Sequence, residues 1–251
     1  LMRFDSLKIS VRGIRVPVPT RQYAIRRVEF DHWLLKRADV PVEVHHVREI
    51  TRADGGYAID GRFWGRHLVG AGGTYCPVQR TFFREAAPRS PENLIATQEL
   101  EFPYDYADPH CYLWFIEDWL PGYGWYVPKE GGYLNVGVGG KAEKLRERGD
   151  TIQRHWARLV RKLRRLGLVD DRPLRPKGHA YYLRQATGGP VQLDHAYIVG
   201  DAAGLATIDL GEGIAPAVES GLRAAAAIIS GGRYTVEGIR SRSMRLSALH
   251  L

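Results

Sequence analysis

The chain has 251 residues, 44% hydrophobic and 25% charged, with 28 Gly and 14 Pro. That balance describes a globular protein with one substantial core or two closely associated domains, and it excludes a disordered chain or a fibre. The net charge of +8 is uneven: Lys141 to Lys177 holds 13 Lys and Arg against 5 Asp and Glu, an excess equal to that of the whole chain. No apolar run reaches the roughly 18 residues of a membrane span, and no basic stretch followed by an apolar one marks a secretory signal. Cys76 and Cys111 have no partners at zinc-like spacing and cannot supply a disulfide framework, so no metal site is expected and a cytoplasmic setting is.

Residues 5–19, DSLKISVRGIRVPVP, read as extended chain closed by Pro17 and Pro19. RRVEFDHWLLKRA (26–38) predicts a helix with Val28, Trp33, Leu34, Leu35 and Ala38 gathered toward one side. Three strand candidates follow: VEVHHVREI (42–50), GGYAID (55–60) and RFWGRHLVGAGG (62–73). Between Leu94 and Val138 come several short strands rich in aromatics. Ile152, Trp156, Leu159, Val160, Leu163 and Leu166 then recur at helical spacing under a strongly basic outer face. That face reads either as a solvated surface or as one attracted to an anionic membrane or acidic ligand. No helix-turn-helix, zinc-finger or RNA-binding pattern accompanies the charge, so nucleic acid is not an expected partner. HAYYLRQ (179–185) reads as extended, AYIVGD (196–201) as a buried strand, and GIAPAVESGLRAAAAIIS (213–230) as a long helix. Helix and buried strands at both ends, with an aromatic sheet between, predict an α/β domain interrupted by a mostly antiparallel β domain.

Three glycine stretches compete for a cofactor. Gly137-Val138-Gly139-Gly140-Lys141-Ala142 formally fits the dinucleotide fingerprint, but the preceding GGYLNV is too mixed for a buried parallel strand and no acidic residue closes a second strand downstream. Gly70-Ala71-Gly72-Gly73 is a tight turn at a strand end. The strongest stretch is HAYIVGDAAGLATIDLGEGIAPAVESG (195–221). An aspartate at the carboxyl end of a buried parallel strand points into the crevice where such sheets bind ligands, and its carboxylate accepts hydrogen bonds from sugar or ribityl hydroxyls. Asp201 is so placed. Gly211 and Gly213 let the backbone approach a flat ligand, and the helix behind them presents its positive dipole end. An ordinary strand-loop-helix turn, with Asp201 as a cap, would use the same residues.

GDAAGLATIDLGEGIAPAVESGLRAA resembles the second FAD-binding motif of flavoproteins like para-hydroxybenzoate hydroxylase, and its GDAAG and GEGI look most like the geranylgeranyl reductase family. GRFWGRHLVGAGGTYCPVQR is similar to the strand and turn such proteins place beside FAD. PGYGWYVPKEGGYLNVGVGG resembles the family's aromatic stretch lining an isoprenoid cavity, and RRVEFDHWLLKRA its R-x-x-F-D-x-x-L helix. Gly72 departs from the pattern, standing where many relatives carry Asp. The family's opening GxGxxG segment does not precede residue 1, so the chain is expected to be N-terminally incomplete.

The resemblance implies a Rossmann-like FAD-binding domain (21–75 and 186–251) and a substrate domain (1–20 and 76–185). It implies FAD held by Arg27, Gly70, Gly73, Gly200, Asp201 and the Leu210-Gly211-Glu212-Gly213-Ile214 segment, with NAD(P)H or ferredoxin as electron donor. Tyr123, Trp125, Tyr126 and Pro128, with Gly137 and Gly139, would line an apolar cavity for an isoprenoid or lipid. The flavin carries the hydride chemistry in such enzymes, so no protein nucleophile is expected. Glu212 reads equally as a proton donor or a helix cap; Cys76 reads as a buried small residue, and His45-His46 and Asp170-Asp171 as surface pairs. A flavin monooxygenase or halogenase on the same fold is one alternative; a non-catalytic fragment that no longer binds FAD is another.

Overall fold

The computed structural model describes residues 1–186 and 188–244. In chain order its elements are β1 (Met2–Val11), β2 (Ile14–Ala24), α1 (Arg27–Ala38), β3 (Ile50–Ala53), β4 (Gly56–Ile59), β5 (Phe63–Gly65) and β6 (Leu68–Gly70). The chain continues through β7 (Leu94–Pro103), β8 (Cys111–Phe115), β9 (Gly122–Lys129), β10 (Tyr133–Lys141), α2 (Ala142–Glu147) and α3 (Ile152–Arg165). It then forms β11 (Lys177–Tyr182), β12 (Gln192–Leu193), β13 (Ala196–Ile198) and α4 (Ile214–Ser230).

One compact unit comprises Leu1–Glu43 and Ile95–His179. Its sheet has the order β11-β7-β10-β9-β8-β1-β2, with β1 and β8 parallel and the hairpins antiparallel. Side chains alternate across a strand, so Trp114, Tyr126, Leu134, Val136 and Val138 all fall on one face. There they meet Ile152, Trp156, Leu159 and Leu163 of α3, a stripe at helical spacing. Burying each large apolar side chain of this layer stabilises it by about 1.5–3 kcal/mol. Thr151 starts α3 by accepting a hydrogen bond from the Arg154 amide (3.4 Å). Pro17 and Pro19 lie inside β2 rather than closing it; β2 is an edge strand, where a missing N–H leaves no ladder bond unmade.

The other unit comprises Val44–Leu94 and the chain from Ala180 onward. Here β13 runs parallel to β6 and antiparallel to β12, while β3, β4 and β5 form a separate meander. Alternation along β13 buries both its faces, which is why AYIV is an unbroken apolar run. Ala196 and Ile198 pack with Ile50, Tyr57, Leu68, Val78 and Phe83. Tyr197 and Val199 pack with Ala224 and Ala227 of α4 and with Tyr234.

Two expectations are corrected. Residues 42–49 form no strand, because the Asp60 carboxylate accepts the Arg48 and Glu49 amides and the His45 ring, giving this backbone a side-chain partner in place of a ladder. No residue of α1 is buried: Val28, Trp33 and Leu35 stay exposed among the described residues. The compact units divide after residues 43, 94 and 179, where the resemblance implied domain boundaries after 20, 75 and 185. Pairing of β1 with β2 continues to Ala24, and Arg26 then binds Glu101 and stacks 3.4 Å from the Tyr133 ring, so the segment entering α1 belongs with the antiparallel sheet. Cys76, Val78 and Phe83 enter the core around β13, so 76–94 belongs with the parallel pair.

Candidate cofactor site

Beyond β13 the chain turns at Gly200, whose φ of +55° favours glycine, and whose N–H donates to Ser220 Oγ of α4 at 2.9 Å. A Cβ on Gly200 would lie 3.0 Å from that of Ala217, so strand end and helix meet closely. Residues 200–203 form a single 3₁₀ turn carrying Asp201, and Gly204 at φ +64° ends it. Gly213 is the N-cap of the 17-residue α4, and a Cβ there would lie 3.2 Å from Asp201 Oδ1. The carboxylate is thereby set beside the positive end of a long helix.

Between them the loop is braced by its own side chains. The Thr207 amide donates to the Glu212 carbonyl, the Glu212 amide to Thr207 Oγ1, and the Gly211 amide to the Thr207 carbonyl, all within 3.0 Å. Glu212 Oε1 accepts the Ala215 amide at 3.0 Å, so its carboxylate works as a cap on α4. Asp209 accepts the amides of Leu210, Ser243 and Met244, each at 2.9 Å, and Ser243 Oγ meets Thr207 Oγ1 at 2.7 Å. Burial alone would raise the Asp209 pKa, but these backbone donors outweigh it and hold the carboxyl below its ordinary value. The segment 241–244 is thus strapped onto the loop.

Arg89 ties this loop to the turn after β6. Its guanidinium donates to the carbonyls of Thr74 and Ala202 and lies 5.0 Å from the Tyr182 ring. Desolvation pulls its pKa below the usual value, against the attraction of Tyr182, Cys76 and Asp201. Asp209 lies within the quoted motif but its role as an anchor for 243–244 shows only in the fold, and Arg89, outside every quoted motif, is brought to the loop by folding. The predicted glycines do different work. Gly70 is required by the interior, since a Cβ would sit 2.7 Å from that of Val78 and 2.8 Å from Cys76 Sγ; Gly73 at φ +69° opens the 3₁₀ turn 73–75. Gly211 (φ +65°) makes room for the Tyr181 ring, whose Cζ would lie 3.0 Å from a Cβ. The space at Gly211 therefore holds a side chain of this protein. Leu210 and Ile214 flank these glycines in the same segment.

Arg27 lies on α1 in the antiparallel unit, exposed and bidentate to Asp31 one turn on (3.2 and 3.1 Å). In the aromatic stretch the expected cavity set divides. Tyr126 and Pro128 are fully buried core residues, and the Tyr126 hydroxyl donates to the Asp108 carbonyl. Tyr123 and Trp125 occupy the opposite face, because residues one apart on a strand point opposite ways. That face is a true aromatic surface. Phe115, Tyr123 and Trp125 follow one another with centroids 4.9 and 5.6 Å apart, and Trp125 Nε1 donates to Asn135 Oδ1 at 2.6 Å. The indole lies across Gly137 and Gly139, where a Cβ on Gly137 would strike the ring. The formal fingerprint 137–142 lies mostly within β10, hydrogen-bonded on both sides, and is no phosphate turn.

No protein-family model matches the chain, and no curated protein matches it in sequence. Solved structures do match in shape. A geranylgeranyl bacteriochlorophyll reductase-like protein from Thermoplasma acidophilum superposes with a TM-score of 0.71 at 20% identity, over 91% of this chain and 63% of its own. The two chains share a fold. A flavoprotein/dehydrogenase from Cytophaga hutchinsonii shares the fold with a TM-score of 0.68 at 15% identity, over 94% of this chain and 64% of its own. The flavin-dependent halogenase CmlS shares it with a TM-score of 0.61 at 18% identity, over 90% and 46%. The chain spans less than two thirds of each of these flavoproteins.

Proposed function

We propose that the protein is an FAD-dependent oxidoreductase of the geranylgeranyl reductase type, acting on carbon–carbon double bonds of an isoprenoid or other lipid. The observation that carries this reading is the Asp201 carboxylate beside Gly213 at the head of α4, following the parallel pair β6 and β13. That donor set fits FAD: a charged acceptor for ribityl hydroxyls, a glycine that lets the backbone pass close to it, and a helix end that favours negative charge. When bound, FAD supplies the hydride transfer. Asp201 would hold and orient the sugar-alcohol chain, Glu212 would fix the start of α4, and Arg89 would keep the loop in register with the turn after β6. In the antiparallel unit, Tyr123 and Trp125 over Gly137 and Gly139 offer a flat apolar surface suited to a polyprenyl chain. NAD(P)H or a reduced ferredoxin would deliver the electrons.

Peripheral membrane contact belongs to the same reading. Lys162 pairs with Glu117, and Arg158 and Arg164 approach Asp150 and Asp171, which neutralises part of the α3 face. Arg161 and Arg165 have no ion pair among the described residues and would face anionic lipid. No described helix is long and apolar enough to cross a membrane.

Titration with FAD, followed by flavin fluorescence, tests the cofactor. Binding is expected, with a loss of tenfold or more in Asp201→Ala; a protein that takes up no FAD overturns the proposal. Chemical reduction of the loaded protein and addition of a geranylgeranyl lipid should give a product heavier by two hydrogens per double bond. The halogenase among the structural relatives motivates a second reading, which a halogenated or oxygenated product would favour.

A further inference from the structure

A cavity of about 890 Å³ opens within the unit that carries β13, walled by residues 182–186, 188–192, 202–205 and 233–237 and by Gln79, Ala87 and Arg89. Its wall shares Arg89 and residues 202–205 with the turn behind Asp201 but includes neither Asp201 nor any of residues 210–214. The volume suits a small metabolite.

Two features of the wall identify the occupant's chemistry. Gln79 is only 6% exposed, yet its amide has no hydrogen-bond partner among the described residues. It begins the five-residue π-turn Gln79–Phe83, an uncommon geometry that recurs at functional positions. The neighbouring amides are already engaged: Gln192 with the Tyr234 amide and the Asp194 carbonyl, Gln185 with the Ser90 amide and the Pro88 carbonyl. The Gln79 amide opens onto the cavity, where it is available to a ligand.

The second feature is charge. Arg89 and Arg184 are held by backbone carbonyls, with no carboxylate within ion-pair distance among the described residues. Arg233 is exposed on the wall and has no hydrogen bond or ion pair among them. Against these three cations stand Asp194, already paired with Arg52, and Glu237. The wall therefore favours an anion.

We propose that this cavity is a nucleoside monophosphate site, with the base edge on the Gln79 amide and the phosphate at Arg233. A carboxamide offers one donor and one acceptor side by side, which matches the paired groups on a nucleobase edge. Arg233 supplies the planar fork that phosphate prefers. Tyr182 and Tyr234 provide the ring surfaces alongside.

Calorimetric titration of the full chain with adenosine monophosphate and uridine monophosphate tests the site, with adenosine and inorganic phosphate as half-ligands. At least one nucleotide should bind, and its half-ligands should bind tenfold or more weakly. Gln79→Leu and Arg233→Glu should each weaken the nucleotide tenfold or more. Removing an unpartnered amide should leave the ligand-free melting temperature of Gln79→Leu no lower, and Arg233 is exposed, so its variant reports binding even if the first misfolds. Asp201→Ala should bind the nucleotide unchanged, which separates this site from the flavin proposal. No binding at millimolar nucleotide, undiminished binding by Arg233→Glu, or loss confined to Asp201→Ala overturns the assignment.

Discussion

In the antiparallel unit, Gly137 and Gly139 sit inside the regular strand β10, and what they provide is the absence of a side chain under Trp125. In the other unit, Gly200, Gly204 and Gly211 adopt φ between +55° and +65°, so they provide a backbone that turns, and Gly200 and Gly211 leave room for Ala217 and Tyr181 as well. The same residue type thus serves packing alone at Gly137 and Gly139 and conformation as well at the turns around Asp201. A substitution should therefore fail by overpacking at Gly137, and by backbone strain at Gly204, with both costs combined at Gly211. The strand under Trp125 is regular, while the loop at Asp201 is held by hydrogen bonds.

The contrast yields four predictions. Leu163→Ala should lower unfolding stability by about 2–5 kcal/mol, because it empties a fully buried position of the α3 layer; denaturant titration measures it. Gly137→Ala should cost about 1–3 kcal/mol by overpacking, and a Trp125→Ala background should recover part of that loss, since it removes the indole the new methyl strikes and leaves the Gln98 carbonyl oxygen, 2.9 Å from that methyl. A double-mutant cycle showing no coupling would break the packing account. Glu212→Ala should cost about 1 kcal/mol through loss of a helix cap while leaving the α3 layer as protected from hydrogen exchange as before.

The smallest effect is one of pH. The Asp209 pKa is depressed in the folded state, so its contribution is complete above the ordinary aspartate value of about 4 and declines as pH falls through the lower folded value. Protection of the Ser243 and Met244 amides should persist at pH 5 and fall away below about pH 4, measured by hydrogen exchange.

The strand, the loop and α4 at 196–230 were legible because their signals are local: an apolar run, an aspartate, paired glycines and an Ala-rich helix in immediate succession. The fold class was legible for the same reason. The division of the aromatic stretch was legible in principle, since alternation alone separates Tyr123 and Trp125 from Tyr126 and Pro128. Other features were not. Asp60 diverting the backbone at 48–49, and Arg89 gathering the carbonyls of Thr74 and Ala202, depend on contacts between distant residues. The exposure of α1 also escaped, because its apolar residues at helical spacing show that a face exists without showing what covers it.

The parallel pairing of Leu7 with Cys111 also sets a schedule for the nascent chain. Roughly 100 residues separate the two, and at a synthesis rate of about 5–20 residues per second β1 leaves the ribosome some 5–20 s before its inner neighbour exists. During that interval the β1–β2 hairpin has one strand edge with nothing to pair with. That edge is the part of the molecule most open to a chaperone or to another nascent chain.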